Sequence, residues 1–343
     1  MNLLHVNQLT MRFGGLTAVQ SVDFAVKPRQ IVSVIGPNGA GKTTVFNAVT
    51  GVYQPTEGDV LIEGKCVRRE FTPKTALALA LIALATAFGA VLLFNLEPLW
   101  DKVVTQNYIY RQPFPWGKAG ADLFRFLGDA AAARIWLPFI LGAAVGGGGA
   151  FAVWQRSRRT PDYVARHGVV RTFQNIRLFQ QMTVLENVLV GMDTRLRSHF
   201  WDAALRLPRF WREKRVAESR AVEILKFVGL ERELSVTASS LAYGHQRRLE
   251  IARALATEPK LILLDEPAAG MNPQEVNDMM DLIRRIRDRG ITVLLIEHHM
   301  QCVMGISDRI AVLDHGEKIA EGTPQEVRSD ERVIEAYLGK DEG

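Results

Sequence analysis

Three patterns of apolar and polar positions divide the chain. Residues 3–26 alternate around Gly14-Gly15, which predicts short antiparallel strands joined by a turn. Continuous apolar runs of strand length occur at 31–35, 261–264 and 292–296; such runs predict strands buried on both faces of a parallel sheet. Residues 169–174 predict a further strand ending in a polar residue, and 59–64 a strand and turn after Gln54-Pro55-Thr56-Glu57-Gly58. Helical spacing runs from Val45 to Gly51, returns from 182 to 230, and recurs over 247–255.

The third pattern is different in kind. Residues 75–96 carry no charged side chain over about 22 positions and residues 135–154 none over about 20, each enough to cross a bilayer as a helix. Between them lies a polar segment with Glu97, Asp101, Lys102, Arg111, Lys118, Asp122, Arg125, Asp129 and Arg134. Trp100, Tyr108, Tyr110, Trp116, Trp136 and Trp154 cluster near the ends of the two runs, and the membrane interface favours such aromatics. Arg68, Arg69 and Lys74 precede the first run, while Arg156, Arg158 and Arg159 follow the second. Positive-inside bias therefore predicts cytoplasmic outer flanks, with 97–134 on the far side. The basic residues of that loop and Gly146-Gly147-Gly148-Gly149, which costs helix stability, speak for a buried or interfacial helical pair instead. Length and freedom from charge speak more strongly for a two-span hairpin, and an even number of crossings returns the chain to its starting side.

Composition adds limits. The chain has 343 residues, room for one large or two small domains, and a net charge of +5. Mild basicity fits nucleic acid or a membrane surface; the basic residues form no single stripe, and the apolar runs favour the membrane. The basic segment 205–218 reads as a solvated helix face. Cys66 and Cys302 stand far apart without metal-ligand spacing and read as reduced, buried thiols of a cytosolic protein. Residues 1–5 lack the basic and apolar pattern of a cleaved signal peptide.

The chemistry concentrates after the buried runs. Gly36-Pro37-Asn38-Gly39-Ala40-Gly41-Lys42-Thr43-Thr44 follows the run at 31–35 and leads into a helix. Glycines let backbone N–H groups close around phosphates, the helix N-terminus adds its positive end, Lys42 reaches β/γ oxygens, and Thr43 ligates Mg²⁺. The bland alternative is an ordinary glycine-rich turn. The run at 261–264 delivers Asp265 and Glu266, a pair suited to hold the Mg²⁺ hydration shell and to orient or deprotonate water. The run at 292–296 ends near His298, a candidate γ-phosphate contact at the carboxyl end of a strand. Leu241-Ala242-Tyr243-Gly244-His245-Gln246 precedes an amphipathic helix, and a glycine there leaves room for phosphate at free N–H groups. Phe13 is either an adenine-stacking aromatic or a core or edge phenylalanine.

Together these residues resemble the ATP-binding subunits of ABC transporters. The loop 36–44, Gln174, the signature-like Leu241 to Gln246, Asp265-Glu266 and His298 fall in that family's order. Arg171-Thr172-Phe173-Gln174, Leu241-Ala242-Tyr243-Gly244 and Glu266-Pro267-Ala268-Ala269-Gly270-Met271-Asn272-Pro273 are similar to the branched-chain amino acid uptake subgroup, as are Ile306 to Ile310 and Ile319 to Pro324. The resemblance implies an α/β P-loop ABC ATPase core, with a mostly parallel sheet, an antiparallel β subdomain and a helical subdomain; residues 72–160 are an insertion that the family does not normally carry, and their charge-free runs predict a two-helix transmembrane hairpin interrupting that core. Removing the insertion joins Phe71 to Pro161 and restores a short connection between the strand at 59–63 and the Gln174 segment, so the chain is expected to divide into residues 1–71, a guest domain at 72–160, and 161–343.

It also implies ATP and Mg²⁺ as cofactors, and a second ATPase subunit whose phosphate loop faces this chain's Tyr243, Gly244 and His245. Two permease subunits, an external substrate-binding protein and membrane lipid complete the implied partners, on the cytoplasmic side of the inner membrane and without nucleic acid. Gln174 would sense Mg²⁺ and couple to the permease, and Phe13 would stack on adenine. Three positions depart from the wider family: Ala242 replaces the signature serine, His245 a glutamine and Asn272 an aspartate. A non-transport ABC ATPase is disfavoured because one ATPase half is found where such proteins commonly carry two. A membrane scaffold with a regulatory nucleotide site is disfavoured by intact Lys42, Glu266 and His298.

Overall fold

A computed structural model describes residues 2–68, 71–110, 112–129, 132–193, 202 and 207–338; Arg69, Arg111 and the start of the basic segment 205–218 lie outside them. The chain forms two compact units, residues 1–67 with 159–343, and residues 68–158.

In the first unit, β1 (Leu4–Phe13) pairs antiparallel with β2 (Leu16–Val26) and with β4 (Glu57–Ile62), giving the order β2-β1-β4-β5 with the short β5 (Lys65–Cys66). A second sheet holds β3 (Ile31–Ile35), β6 (Val169–Arg171), β7 (Leu261–Asp265), β8 (Thr292–Ile296), β9 (Arg309–Asp314) and β10 (Glu317–Gly322) in the order β10-β9-β3-β8-β7-β6. Its neighbours are parallel except for the β9–β10 hairpin. β3, β7 and β8 are buried at every position, which is why their sequences do not alternate. Ile262 and Leu264 face a core with Val188, Leu225, Leu249 and Ile251 from the helical segments. Leu261 and Leu263 face the other core, with Val45, Phe46 and the antiparallel sheet.

Several boundaries move for local reasons. α1 (Lys42–Val49) starts three residues before Val45, because Gly41 caps it in the left-handed region at φ 94°. A Cβ on Gly41 would also lie 2.8 Å from the Ala18 carbonyl oxygen. The expected helical stretch 182–230 is divided. The helix Val184–Met192 opens with a reciprocal Thr183–Glu186 capping box, and the helix Pro208–Val228 closes at left-handed Gly229. The helix expected from 247 begins at Tyr243.

The second unit contains α2 (Pro73–Val103), α3 (Trp116–Asp129) and α4 (Ala132–Arg156). Pro73–Pro98 and Arg134–Arg156 are long and apolar enough to cross a membrane by length and composition, and 6 % of each apolar window is buried. The described residues of this chain therefore do not bury the pair as a core. Gly146 to Gly149 remain helical, and close approach explains the first of them: a Cβ on Gly146 would collide with the Thr86 side chain of α2.

Candidate nucleotide site

Three neighbouring strands of the parallel sheet end at one edge. β3 runs into the glycine loop, β7 into Glu266, and β8 into Glu297 and His298; with β8 between the other two, the three termini are adjacent. This is the position where open α/β sheets bind ligands. A cavity of about 310 Å³ lies there, lined by Ala18, residues 38–44, Gln174, Glu266, Ile296 and His298. Two larger, mainly apolar grooves of about 590 and 630 Å³ lie elsewhere and contain none of the predicted site residues.

The loop has the geometry its glycines allow. Gly36 takes φ 151°, and a Cβ there would strike the Leu313 carbonyl of β9. Lys42 is 6 % exposed and folds back over the loop, its Nζ donating to the carbonyls of Gly36 at 2.8 Å and Pro37 at 2.7 Å. α1 has neither a capping side chain nor an acidic residue in its first turn, so its positive end points into the cavity uncompensated by side chains of that turn. Thr43 and Thr44 line the same wall.

Opposite them, Glu266 is held on every side. Gln174 donates Nε2 to Oε2 at 2.9 Å, and His298 Nε2 lies 2.9 Å from Oε1. The Glu266 backbone takes φ 47°, a sparsely populated region for a residue with a side chain, while its amide donates to the Ile296 carbonyl at 2.9 Å. Glu297 reaches across with Oε1 accepting from the Ala268 amide at 2.8 Å and Oε2 from the His298 amide at 3.0 Å, fixing both loops.

Asp265 does not line the cavity. It is 3 % exposed, and its Oδ2 accepts from Arg171 at 2.6 Å. Arg171 also donates to Asn47 Oδ1 of α1 at 2.5 Å and packs against the rings of Phe46 and Phe173. Arg247, fully buried on the helix Tyr243–Leu255, donates to the carbonyls of Phe173, Gln174 and Glu266 and pairs with Glu250 at 2.8 Å. One guanidinium thus ties that helix to both Gln174 and Glu266.

Asn47, Arg171, Arg247, Glu250 and Glu297 are the positioning residues that sequence reasoning left without a role. Arg171 stood inside a quoted motif, and Arg247 falls among the apolar positions of its helix; that mismatch was the available signal.

The remaining predicted residues stand apart from the cavity. Phe13 is 43 % exposed at the end of β1, edge-on to Tyr53 with ring centroids 5.2 Å apart. Tyr243, Gly244 and His245 form the first turn of their helix, which carries no capping side chain, and His245 Nδ1 lies 3.5 Å from Glu233.

A helix end open to polyphosphate, a lysine waiting on the loop beneath it and a carboxylate fixed across the cavity define a P-loop nucleotide-binding protein. Comparison with known proteins narrows the class. The family described as ABC transporter matches residues 19–89 and 153–269, leaving 90–152 outside both blocks, and the family described as branched-chain amino acid ATP-binding cassette transporter matches 317–343. The high-affinity branched-chain amino acid transport ATP-binding protein LivG of Escherichia coli K12 is 38 % identical over 98 % of this chain and 98 % of its own. BraF of Pseudomonas aeruginosa, which carries the same description, matches at 38 % with the same coverage. The ADP conformation of an ATP-binding cassette from an ABC transporter superposes with a TM-score of 0.62 at 25 % identity, over 99 % of this chain and all of that one. The chain belongs to the ABC transporter family of ATP-binding proteins.

Proposed function

We propose that the chain is an ATP-hydrolysing subunit of an importer for branched-chain or related amino acids. The observation that carries this reading is the Glu266 carboxylate, fixed by Gln174 and His298 across a 310 Å³ cavity from the phosphate loop. The backbone N–H groups of residues 36–44 and the start of α1 bind the β- and γ-phosphates, and Lys42 turns from the Gly36 and Pro37 carbonyls to their oxygens. Thr43 and Gln174 on the cavity wall would offer hydroxyl and amide oxygens to Mg²⁺, a hard donor set, and Asp265 behind the wall would act through the hydration shell of the ion. A bound Mg²⁺ supplies charge neutralisation at the β/γ oxygens. Arg171 keeps Asp265 oriented behind the cavity.

Glu266 then orients water and takes its proton as the oxygen attacks the γ-phosphorus and the bond to the β–γ bridging oxygen breaks. Gln174 and His298 hold the carboxylate for that step, and His298 contacts the γ-phosphate. Phe13, with Tyr53 beside it, stacks on adenine. Tyr243, Gly244 and His245 face the phosphate loop of a second ATPase subunit. Two permease subunits and an external binding protein complete the assembly on the cytoplasmic side of the inner membrane, and the descriptions of LivG and BraF support the substrate class.

The test is ATP-dependent uptake of labelled leucine, isoleucine or valine by vesicles holding this chain with its permeases and binding protein. Accumulation that continues without ATP, or ATP-driven uptake that excludes this class of amino acid, overturns the reading.

A further inference from the structure

α2 and α4 keep their apolar side chains outside. Leu81, Phe88, Leu93, Ile140, Val145 and Val153 are all exposed, a pattern that costs free energy in water and none in hydrocarbon. Inside, the pair is closed. Gly142 backs onto Thr86, Ala87 and Ala90, and Gly146 onto Thr86, a small-residue spacing of four that lets two helix backbones approach.

The polar groups within the pair are handled as a bilayer demands. Pro138 has no N–H to donate to the carbonyl of Arg134, four residues earlier, which leaves that carbonyl without its helical partner. Asn95 of α2, 4 % exposed, donates Nδ2 to it at 3.3 Å and to the Val91 carbonyl at 2.8 Å. The Thr86 hydroxyl returns to the Ile82 carbonyl at 2.9 Å. Satisfaction of a proline-freed carbonyl by a neighbouring helix is how membrane spans tolerate proline.

Length and ends agree with this. Thr75 to Asn95 and Ile135 to Trp154 each span roughly 30 Å at 1.5 Å per residue, matching a hydrocarbon core of about 30 Å. At one end Phe71 stacks edge-on against Trp154 with centroids 5.1 Å apart, and Arg158 lies over that indole. At the other, Trp100 and Trp136 are exposed beside Asn95 and Arg134 in sequence. The flanks 68–74 and 156–159 carry six basic residues and one acidic, a complement to anionic phospholipid; residues 97–134 carry five basic and four acidic.

We propose that residues 68–158 are a bilayer-spanning anchor, with lipid as the occupant of the exposed apolar faces and residues 97–134 on the far side of the membrane. The subunit is then an integral membrane protein in its own right, held in place without its permeases. This does not depend on the identity of the transported substrate.

The test expresses the full chain without permeases and extracts membranes with alkaline carbonate. A Cys66→Ser, Lys118→Cys variant is then exposed in intact cells, after outer-membrane permeabilisation, to a thiol reagent that cannot cross the inner membrane. The expected result is carbonate-resistant membrane retention and labelling at position 118 from outside, while Cys66 of the parent reacts only after lysis. Release by carbonate, labelling at 118 only after lysis, or membrane retention that requires permeases each overturns the anchor; the last would make these faces a protein-docking surface. ATP binding measured on the same preparations separates failure of the anchor from failure of the nucleotide reading.

Discussion

β7 and α4 are both apolar, yet every residue of β7 is buried while 6 % of the α4 window is. The strand has partners on both faces of its sheet and ends in Asp265, next to Glu266. The helix packs its glycine side against α2. Their polar groups differ in the same way. Among the buried cations of the nucleotide unit, Arg171 and Arg247 are matched by Asp265 and Glu250. In the hairpin, the buried polar side chains described include Asn95 and Asn107, amides that donate to backbone carbonyls and, for Asn107, to Asp122. One region is arranged for an ionic ligand and, on the anchor proposal, the other for an uncharged solvent; both are apolar, and the length of the charge-free run separates them in the sequence.

The largest effect separating the two regions is expected from Glu266→Gln. It removes the proton acceptor, so steady ATP turnover falls by about 10²- to 10⁴-fold while ATP binding and membrane retention are kept. Turnover within a few-fold of the parent would remove Glu266 from catalysis. Lys42→Ala acts one step earlier. Loss of a charge-assisted contact weakens ATP binding by roughly 10- to 100-fold, measured by equilibrium titration; an unchanged affinity would undo the phosphate-loop assignment.

Arg247→Met tests how the nucleotide unit tolerates buried charge. It strands Glu250, 2 % exposed, and frees the Gln174 and Glu266 carbonyls, so unfolding stability should drop by about 3–5 kcal/mol. Denaturant titration of the nucleotide unit reads this, and a loss under 1 kcal/mol would show that the guanidinium is not the tie described. Arg247 also marks the limit of what the sequence disclosed. The ends of β3, β7 and β8 were legible because strand, turn and functional residue are contiguous there. Arg247, Asn47 and Glu297 act on residues distant in sequence, and only the sheet order brings them together. For the glycine run, the cost to an isolated helix was visible in the sequence, whereas the fit of Gly146 against Thr86 was not.

Glycines of α4 probe the hairpin in turn. Gly146→Leu forces a side chain into Thr86 and should destabilise the helix pair by about 1–3 kcal/mol. Gly148→Leu meets nothing within 4 Å and should be neutral or stabilising. Thermal unfolding in detergent, followed by tryptophan fluorescence, compares them. Equal gains at both positions would mean that the glycines matter through helix propensity and not through packing, equal losses that the approach of Gly146 to Thr86 does not set the cost, and ATP binding should be unchanged in both.

The smallest effect concerns the two thiols, both in the nucleotide unit, so alkylation reports on that region alone. Cys302 is buried as its sequence context predicts, but Cys66 is not, because it lies on the short exposed strand β5; burial, and secondarily the Glu297 carboxylate, push the Cys302 thiol up to about 12. The thiolate is the reactive form, so at pH 8 the folded chain should take up one equivalent of a maleimide and the unfolded chain two. The same shift is linked to stability. A folded-state value raised above the unfolded one gives a contribution fully present below pH 9 and lost as pH rises toward 12. Burial pushes the Tyr337 hydroxyl to about 12 as well, with the same sign. Denaturation midpoints should therefore hold steady from pH 7.5 to 9 and fall above it, and Cys302→Ala should fall less steeply. Two equivalents taken up by the folded chain at pH 8 would place Cys302 outside the sealed core beneath the helix Met300–Ile306, and a slope unchanged in Cys302→Ala would assign the alkaline loss to Tyr337 and other groups.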